Sequence, residues 1–259
     1  WQNYATIIKG KRPWLTHGRY IYTRRLDRSN VSITSKLNFL YKEKYISMEQ
    51  TKFNKSFFDS VEPIKMKDPL AVALGAMDKN EPFVFTYTDA VKLAGHSCPA
   101  VSGAYKLTQV ALKSLYGNEI PVRGQIKVTF KGGVGSKVNG PISQVVTLIT
   151  GASGETGFKG LGGGRYNRQN LLSFDETKEA DEDAVCTVIF ERMDNKKKIE
   201  ISYNNSMLPA NPKMGDLMPL AVTGKGTDAE IREFGELWHE RVKAVLMNPM
   251  KGMFIVREL

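Results

Sequence analysis

Hydrophobic residues recur at helical spacing from Val101 through Ala104, Tyr105, Ala111, Leu112 and Leu115, up to the stop signal Gly117-Asn118. Proline is well tolerated in a first helical turn, so this helix is expected to begin at Pro99 with Cys98 as its N-cap. A different period follows. Gln125-Ile126-Lys127-Val128-Thr129-Phe130 alternates apolar and polar residues and predicts a strand with one face in the core. Ala184 to Arg192 and Lys197 to Tyr203 alternate in the same way about Asp194-Asn195 and read as a hairpin. Thr227-Asp228-Ala229-Glu230 is a capping-box start, followed on one face by Ile231, Phe234, Trp238, Val242 and Val245 until Pro249. Phe254-Ile255-Val256 suits a short closing strand.

Other stretches are weaker. Phe53 to Val61 reads as a short helix, and Pro69 to Met77 as another, opened by Asp68. Phe83 to Thr88 reads as a strand leading to a helix start at Asp89. Pro141 to Ile149 is ambiguous: Pro141 suits a first helical position, whereas Val145, Val146, Thr147 and Ile149 are β-branched. A helix packed on the sheet is the preferred reading. Leu208 to Gly226 reads as a Pro/Gly-rich connection.

Composition changes the picture in one place. The chain has 259 residues, 41% hydrophobic and 25% charged, which fits one large globular domain with or without appendages. The longest apolar runs are far too short to span a bilayer, and two cysteines make no disulfide framework, so a reducing, cytoplasmic setting is expected. The net charge of +10 invites a nucleic-acid reading, but residues 1–47 hold ten Lys/Arg against two Asp/Glu, leaving the rest close to neutral. A nucleic-acid partner is therefore not expected. Residues 1–47 are either a basic arm for anionic partners or sequence upstream of a start at Met48. The second reading is preferred, with one domain over 48–259.

The chemistry concentrates at His96 and Cys98. A sulfur at a helix N-cap faces unpaired backbone N–H groups and the positive end of the helix dipole, an environment that favours thiolate. Thiolate attacks electrophiles or binds soft metals, but a metal needs three or four ligands and His-x-Cys supplies two. The competing reading is a small apolar cysteine packed under a helix start. Gly151 to Gly164 is a glycine-rich loop ending in Arg165-Tyr166-Asn167-Arg168, where Arg165, Tyr166 and Arg168 are candidate substrate contacts. The alternative for these residues is a plain exposed loop. Cys186 sits mid-strand and reads as structural; His239 reads as lying on a polar flank. Val146 to Gly157 looks like a dinucleotide fingerprint, yet it falls past the middle of the chain and no amphipathic helix follows it. A nicotinamide-dependent oxidoreductase is thus a minor alternative.

Gly95-His96-Ser97-Cys98-Pro99, followed by Gly103-Ala104-Tyr105, resembles the Gly-His-x-Cys-Pro motif of the FmdE family, which takes its name from a component of formylmethanofuran dehydrogenase. The resemblance runs from about Phe83 to Phe174 and takes in Ile142-Ser143-Gln144 to Thr150-Gly151. It implies an α+β fold with a mixed or antiparallel sheet and helices packed on one face. It also implies a small metalloprotein in which His96 and Cys98 line a cleft as zinc ligands or catalytic groups acting on a small molecule. Many members read Thr-Gly-Cys-Thr where this chain has Thr150-Gly151-Ala152-Ser153, so one thiol is missing; a second copy in a homodimer could complete the shell. A non-catalytic ligand-binding or accessory protein that keeps the motif is the other reading.

Overall fold

The computed structural model describes residues 51–208 and 211–259. The basic segment 1–47 and the expected start at Met48 lie outside these residues. The chain is α+β. Two short strands, β1 (Ile64–Met66) and β2 (Phe83–Phe85), pair antiparallel and flank helix α1 (Pro69–Ala73). Helices α2 (Tyr87–Ala94) and α3 (Pro99–Tyr116) follow, then strand β3 (Ile126–Lys131), helix α4 (Asn139–Thr150) and strand β4 (Leu172–Asp175). Strands β5 (Cys186–Arg192) and β6 (Lys198–Tyr203), helices α5 (Lys213–Thr223) and α6 (Asp228–Met247), and strand β7 (Phe254–Glu258) complete it.

The main sheet has five strands in the order β4-β3-β5-β6-β7. Only β3 and β4 run parallel, joined by the crossover helix α4. Alternation sorts the two faces. Ile126, Val128 and Phe130 of β3, Val188 and Phe190 of β5, and Ile199, Ile201 and Tyr203 of β6 are wholly buried under the helices. Lys127, Thr129, Glu191 and Lys198 point the other way, so the helices occupy one face, in agreement with the sequence pattern.

Helix α3 is the central element, packed on β5, β6 and β7 with α4 on one side and α6 on the other. It can approach the sheet because of Gly103: a methyl there would overlap the Tyr203 ring. Four local expectations change. The strand read over Phe83 to Thr88 ends at Phe85, and α2 begins at Tyr87, with Thr86 as N-cap and Asp89 as its capping-box partner. Phe53 to Val61 contains a 3-10 turn, Ser56–Ser60, in place of an α-helix. Helix α1 stops at Ala73, ended by Leu74 and Gly75 (φ 71°). The stretch read as a loop, Leu208 to Gly226, contains α5, which tolerates Pro219 because it packs against α6. Among the described residues, no helix is long and apolar enough to cross a membrane.

Candidate functional site: a thiol–imidazole cleft

The backbone chemistry expected of this motif is present. Helix α2 ends at Gly95, whose φ of 73° places it in the left-handed region that glycine adopts without a Cβ penalty. The turn delivers His96 and Ser97, and Cys98 N-caps α3 with Pro99 as first helical residue. The Val101 N–H donates to Cys98 Sγ at 3.5 Å, a long contact of the kind sulfur makes.

His96 and Cys98 face each other. Nε2 lies 3.2 Å from Cys98 Sγ, and Nδ1 lies 2.9 Å from the Ala94 carbonyl oxygen. A carbonyl can only accept, so Nδ1 carries a proton, and Nε2 faces the sulfur either as acceptor from the thiol or as donor to a thiolate. This is the outer hydrogen bond that orients an imidazole used as ligand or base. His96 is exposed and Cys98 half-buried. Together they line a cleft of about 390 Å³ between α2, α3 and α4 whose walls include Leu93, Val101, Pro141 and Val145.

Three aromatic side chains, two of them from distant parts of the chain, clamp this short stretch. Trp238 of α6 donates its indole N–H to the Ser97 carbonyl at 2.9 Å, and Tyr203 of β6 donates to the Pro99 carbonyl at 2.9 Å. The Tyr87 hydroxyl meets Ser97 Oγ at 2.8 Å. The carbonyls on either side of Cys98 are thus fixed by buried or half-buried donors, which restricts where the sulfur can lie. Burial pushes the pKa of both tyrosines above the usual phenol range, so both stay neutral, and Tyr203 acts as a donor to its carbonyl. Sequence patterning gives none of these three partners a role at the site. Trp238 carries a signal only as one position on an apolar helical face.

The other predicted site residues lie elsewhere. Arg165 is exposed in a tight turn whose backbone pairs with Leu161 in both directions. Tyr166, at φ 61°, borders a different cavity beside Asp68 and Lys79. Arg168 is buried: Nη2 donates to Asp68 Oδ1 at 2.7 Å, and its guanidinium packs on Gly124 and Gly151. Gly151 caps the C-terminal end of α4, whereas Pro141, Gln144 and Val145 reach the cleft from the other end. At about 1.5 Å per residue, roughly 9 Å of helix separates Gly151 from Val145. Ala152, where the FmdE resemblance expects a thiol, is buried beyond that same far end.

Asp68 gathers this second cluster. It N-caps α1 through Leu70 and Ala71 and also accepts from Arg123 Nη1 at 2.9 Å. Arg123 in turn donates to the Ile149 and Leu148 carbonyls at the end of α4. Burial pushes the Asp68 carboxyl up, but the Arg123 hydrogen bond and the Arg168 charge outweigh it and hold the group below its ordinary range.

The remaining chemistry-bearing residues fall outside the cleft's lining. Cys186 is fully buried, and desolvation pushes its thiol up to about 12, which leaves it inert. His239 is half-buried against Phe57 and Phe58, with Nδ1 on the Gly235 carbonyl at 2.8 Å, and so is not on a polar flank. Val146 to Thr150, the would-be strand of a dinucleotide fingerprint, is helical, and no helix opens directly after Gly157. The geometry that would place a pyrophosphate is therefore absent from those residues. Among the described residues, no three His, Cys, Asp or Glu side chains converge as a metal site. No protein-family model matches the chain, and no curated protein matches it at a significant level.

Proposed function

We propose that this is an FmdE-like protein that binds a small molecule at the Cys98–His96 cleft, with the pair holding a zinc ion and acting on the bound molecule. The supporting observation is the 3.2 Å approach of His96 Nε2 to Cys98 Sγ with the ring oriented by the Ala94 carbonyl. Tetrahedral zinc bound through one sulfur and one imidazole nitrogen keeps those atoms about 3.6 Å apart. The pair fits after opening by a few tenths of an ångström. It supplies one soft thiolate and one borderline imidazole, and the remaining positions fall to water, the bound molecule or a group from a second copy. A bound zinc would supply Lewis-acid chemistry. The chain's own part is to orient the imidazole, hold the sulfur at the start of α3 and present an apolar wall to the molecule.

The test is elemental analysis of full-length protein purified without chelator, beside His96→Ala and Cys98→Ala. About one zinc per chain, lost in both variants, is expected from two indispensable ligands. Zinc retained in both variants, or none in the parent, would refute the metal assignment. A second reading draws on the Val101 N–H directed at the sulfur. In it the unmetallated thiol is a nucleophile and His96 the base that takes its proton.

A further inference from the structure

The lining of the Cys98 cleft is uncharged apart from any charge on the Cys98–His96 pair. Among the described residues, its walls are Leu93, Val101, Pro141 and Val145 with two alanines, and Gln144 is the one polar side chain besides the pair. Two larger cavities differ in kind. One of about 850 Å³ is lined by Lys131, Lys137, Lys178, Glu176, Glu179 and Glu182, and one of about 630 Å³ includes Lys67, Asp68, Lys79 and Glu81. An ionic ligand could find a counter-charge in either, but among the described residues no Asp, Glu, Lys or Arg lines the Cys98 cleft.

We infer that the Cys98 cleft selects a neutral molecule with an apolar body and one polar end. The body lies against Leu93, Val101, Pro141 and Val145, and the polar end is held by the Gln144 carboxamide beside the Cys98–His96 pair. The inference rests on the reading of this cleft as a small-molecule site and extends it to substrate class. Three observations carry it. The volume of about 390 Å³ lies in the lower part of the range that small-molecule pockets occupy. Leu93 stands 46% exposed at the cleft, apolar surface that a bound apolar body would remove from water. Away from the Cys98–His96 pair and any zinc it holds, an ion against these walls would give up hydration without gaining a partner charge, which disfavours a charged body lying along them.

The chain's net charge of +10 makes the test stringent, because the long-range field attracts anions. Preference for a neutral ligand must then come from the cleft. The probes are N-phenylnaphthylamine, which is neutral, and anilinonaphthalene sulfonate, which carries the same rings plus a sulfonate. Fluorescence titration of the full chain at physiological salt should give at least about tenfold tighter binding of the neutral probe, the desolvation penalty of the sulfonate setting the gap. Leu93→Glu should weaken the neutral probe by about tenfold, and Gln144→Glu, also at an exposed position, should weaken it in the same direction. Zinc-free protein that still prefers the neutral probe keeps this inference while removing the metal. Equal or tighter binding of the sulfonate, no binding of the neutral probe, or indifference to both glutamates overturns it.

Discussion

Replacing Asp68 by asparagine isolates the buried charge from everything else that residue does. The carboxamide can still accept from Leu70 and Ala71 at the start of α1, so the cap survives. What is lost is the counter-ion of Arg168, whose side chain is 8% exposed and whose Nε and Nη1 have no partner among the described residues. Breaking a buried pair costs about 3–5 kcal/mol, because one charge is left without compensation. Arg123 is more exposed and keeps two carbonyl acceptors, so its share is near the ~0–1 kcal/mol of a surface pair. Asp68→Asn should therefore cost about 3–4 kcal/mol, a large part of the ~5–15 kcal/mol that holds an ordinary domain folded. Arg168→Met should cost less, roughly 1–2 kcal/mol, because Asp68 retains Arg123 and its backbone donors.

The double variant removes the stranded charge and should be more stable than the sum of the singles by about 2 kcal/mol. Urea unfolding monitored by circular dichroism measures all three. A cost under about 1 kcal/mol for Asp68→Asn, or additivity within about 0.5 kcal/mol, would show that the pair does not behave as a desolvated one. The pH dependence has a definite sign. A carboxyl held below its unfolded value near 3.9 gives stability that is complete above that value and lost as pH falls through the folded one. The asparagine variant should lack that acid limb. If the cleft binds zinc as proposed, its zinc content should not change in Arg168→Met, which separates this cluster from the Cys98 site.

Gly103→Ala places a methyl inside the Tyr203 ring and should cost at least about 1–3 kcal/mol as overpacking, read as a fall in Tm; an unchanged Tm would mean that α3 and the sheet are not in contact there. Burial holds His239 below the ordinary imidazole range, with nearby Lys55 acting in the same direction and the Gly235 carbonyl and Glu236 opposing. The folded chain then binds fewer protons than the unfolded one, so stability should fall as pH drops from about 6.5 toward the lowered value. His239→Phe should flatten that part of the stability curve, and an identical slope in both proteins would reject the assignment.

The parts legible in the sequence are those set by neighbours along the chain. Cys98 before Pro99, Thr227 with Glu230, and the alternation of β3, β5 and β6 are short-range patterns with one geometric solution each. Arg168 misleads because its glycine-rich surroundings suggest a surface loop, while its partner Asp68 lies 100 residues away. Val145 to Ile149 favours a strand by side-chain type, yet the crossover between two parallel strands requires a helix, and packing on α3 decides it. α5 escapes notice because Gly215 and Pro219 break the helical pattern, and contact with α6 compensates. At the cleft, the thiol and imidazole are readable but their clamps are not: Trp238 and Tyr203 look like core residues until their donors are traced.

Those clamps also bear on the order in which the protein becomes competent. His96 and Cys98 are neighbours in sequence, yet the donors that fix the carbonyls around them come from 141 and 104 residues downstream. Contacts of such separation form late, after loop closure has been offset by docking of the intervening elements. During synthesis the motif is therefore exposed well before β6 and α6 exist to fix its backbone. A chain interrupted before Trp238 would carry an accessible thiol without its full set of clamps, and the Cys98–His96 pair takes its final shape only as folding completes.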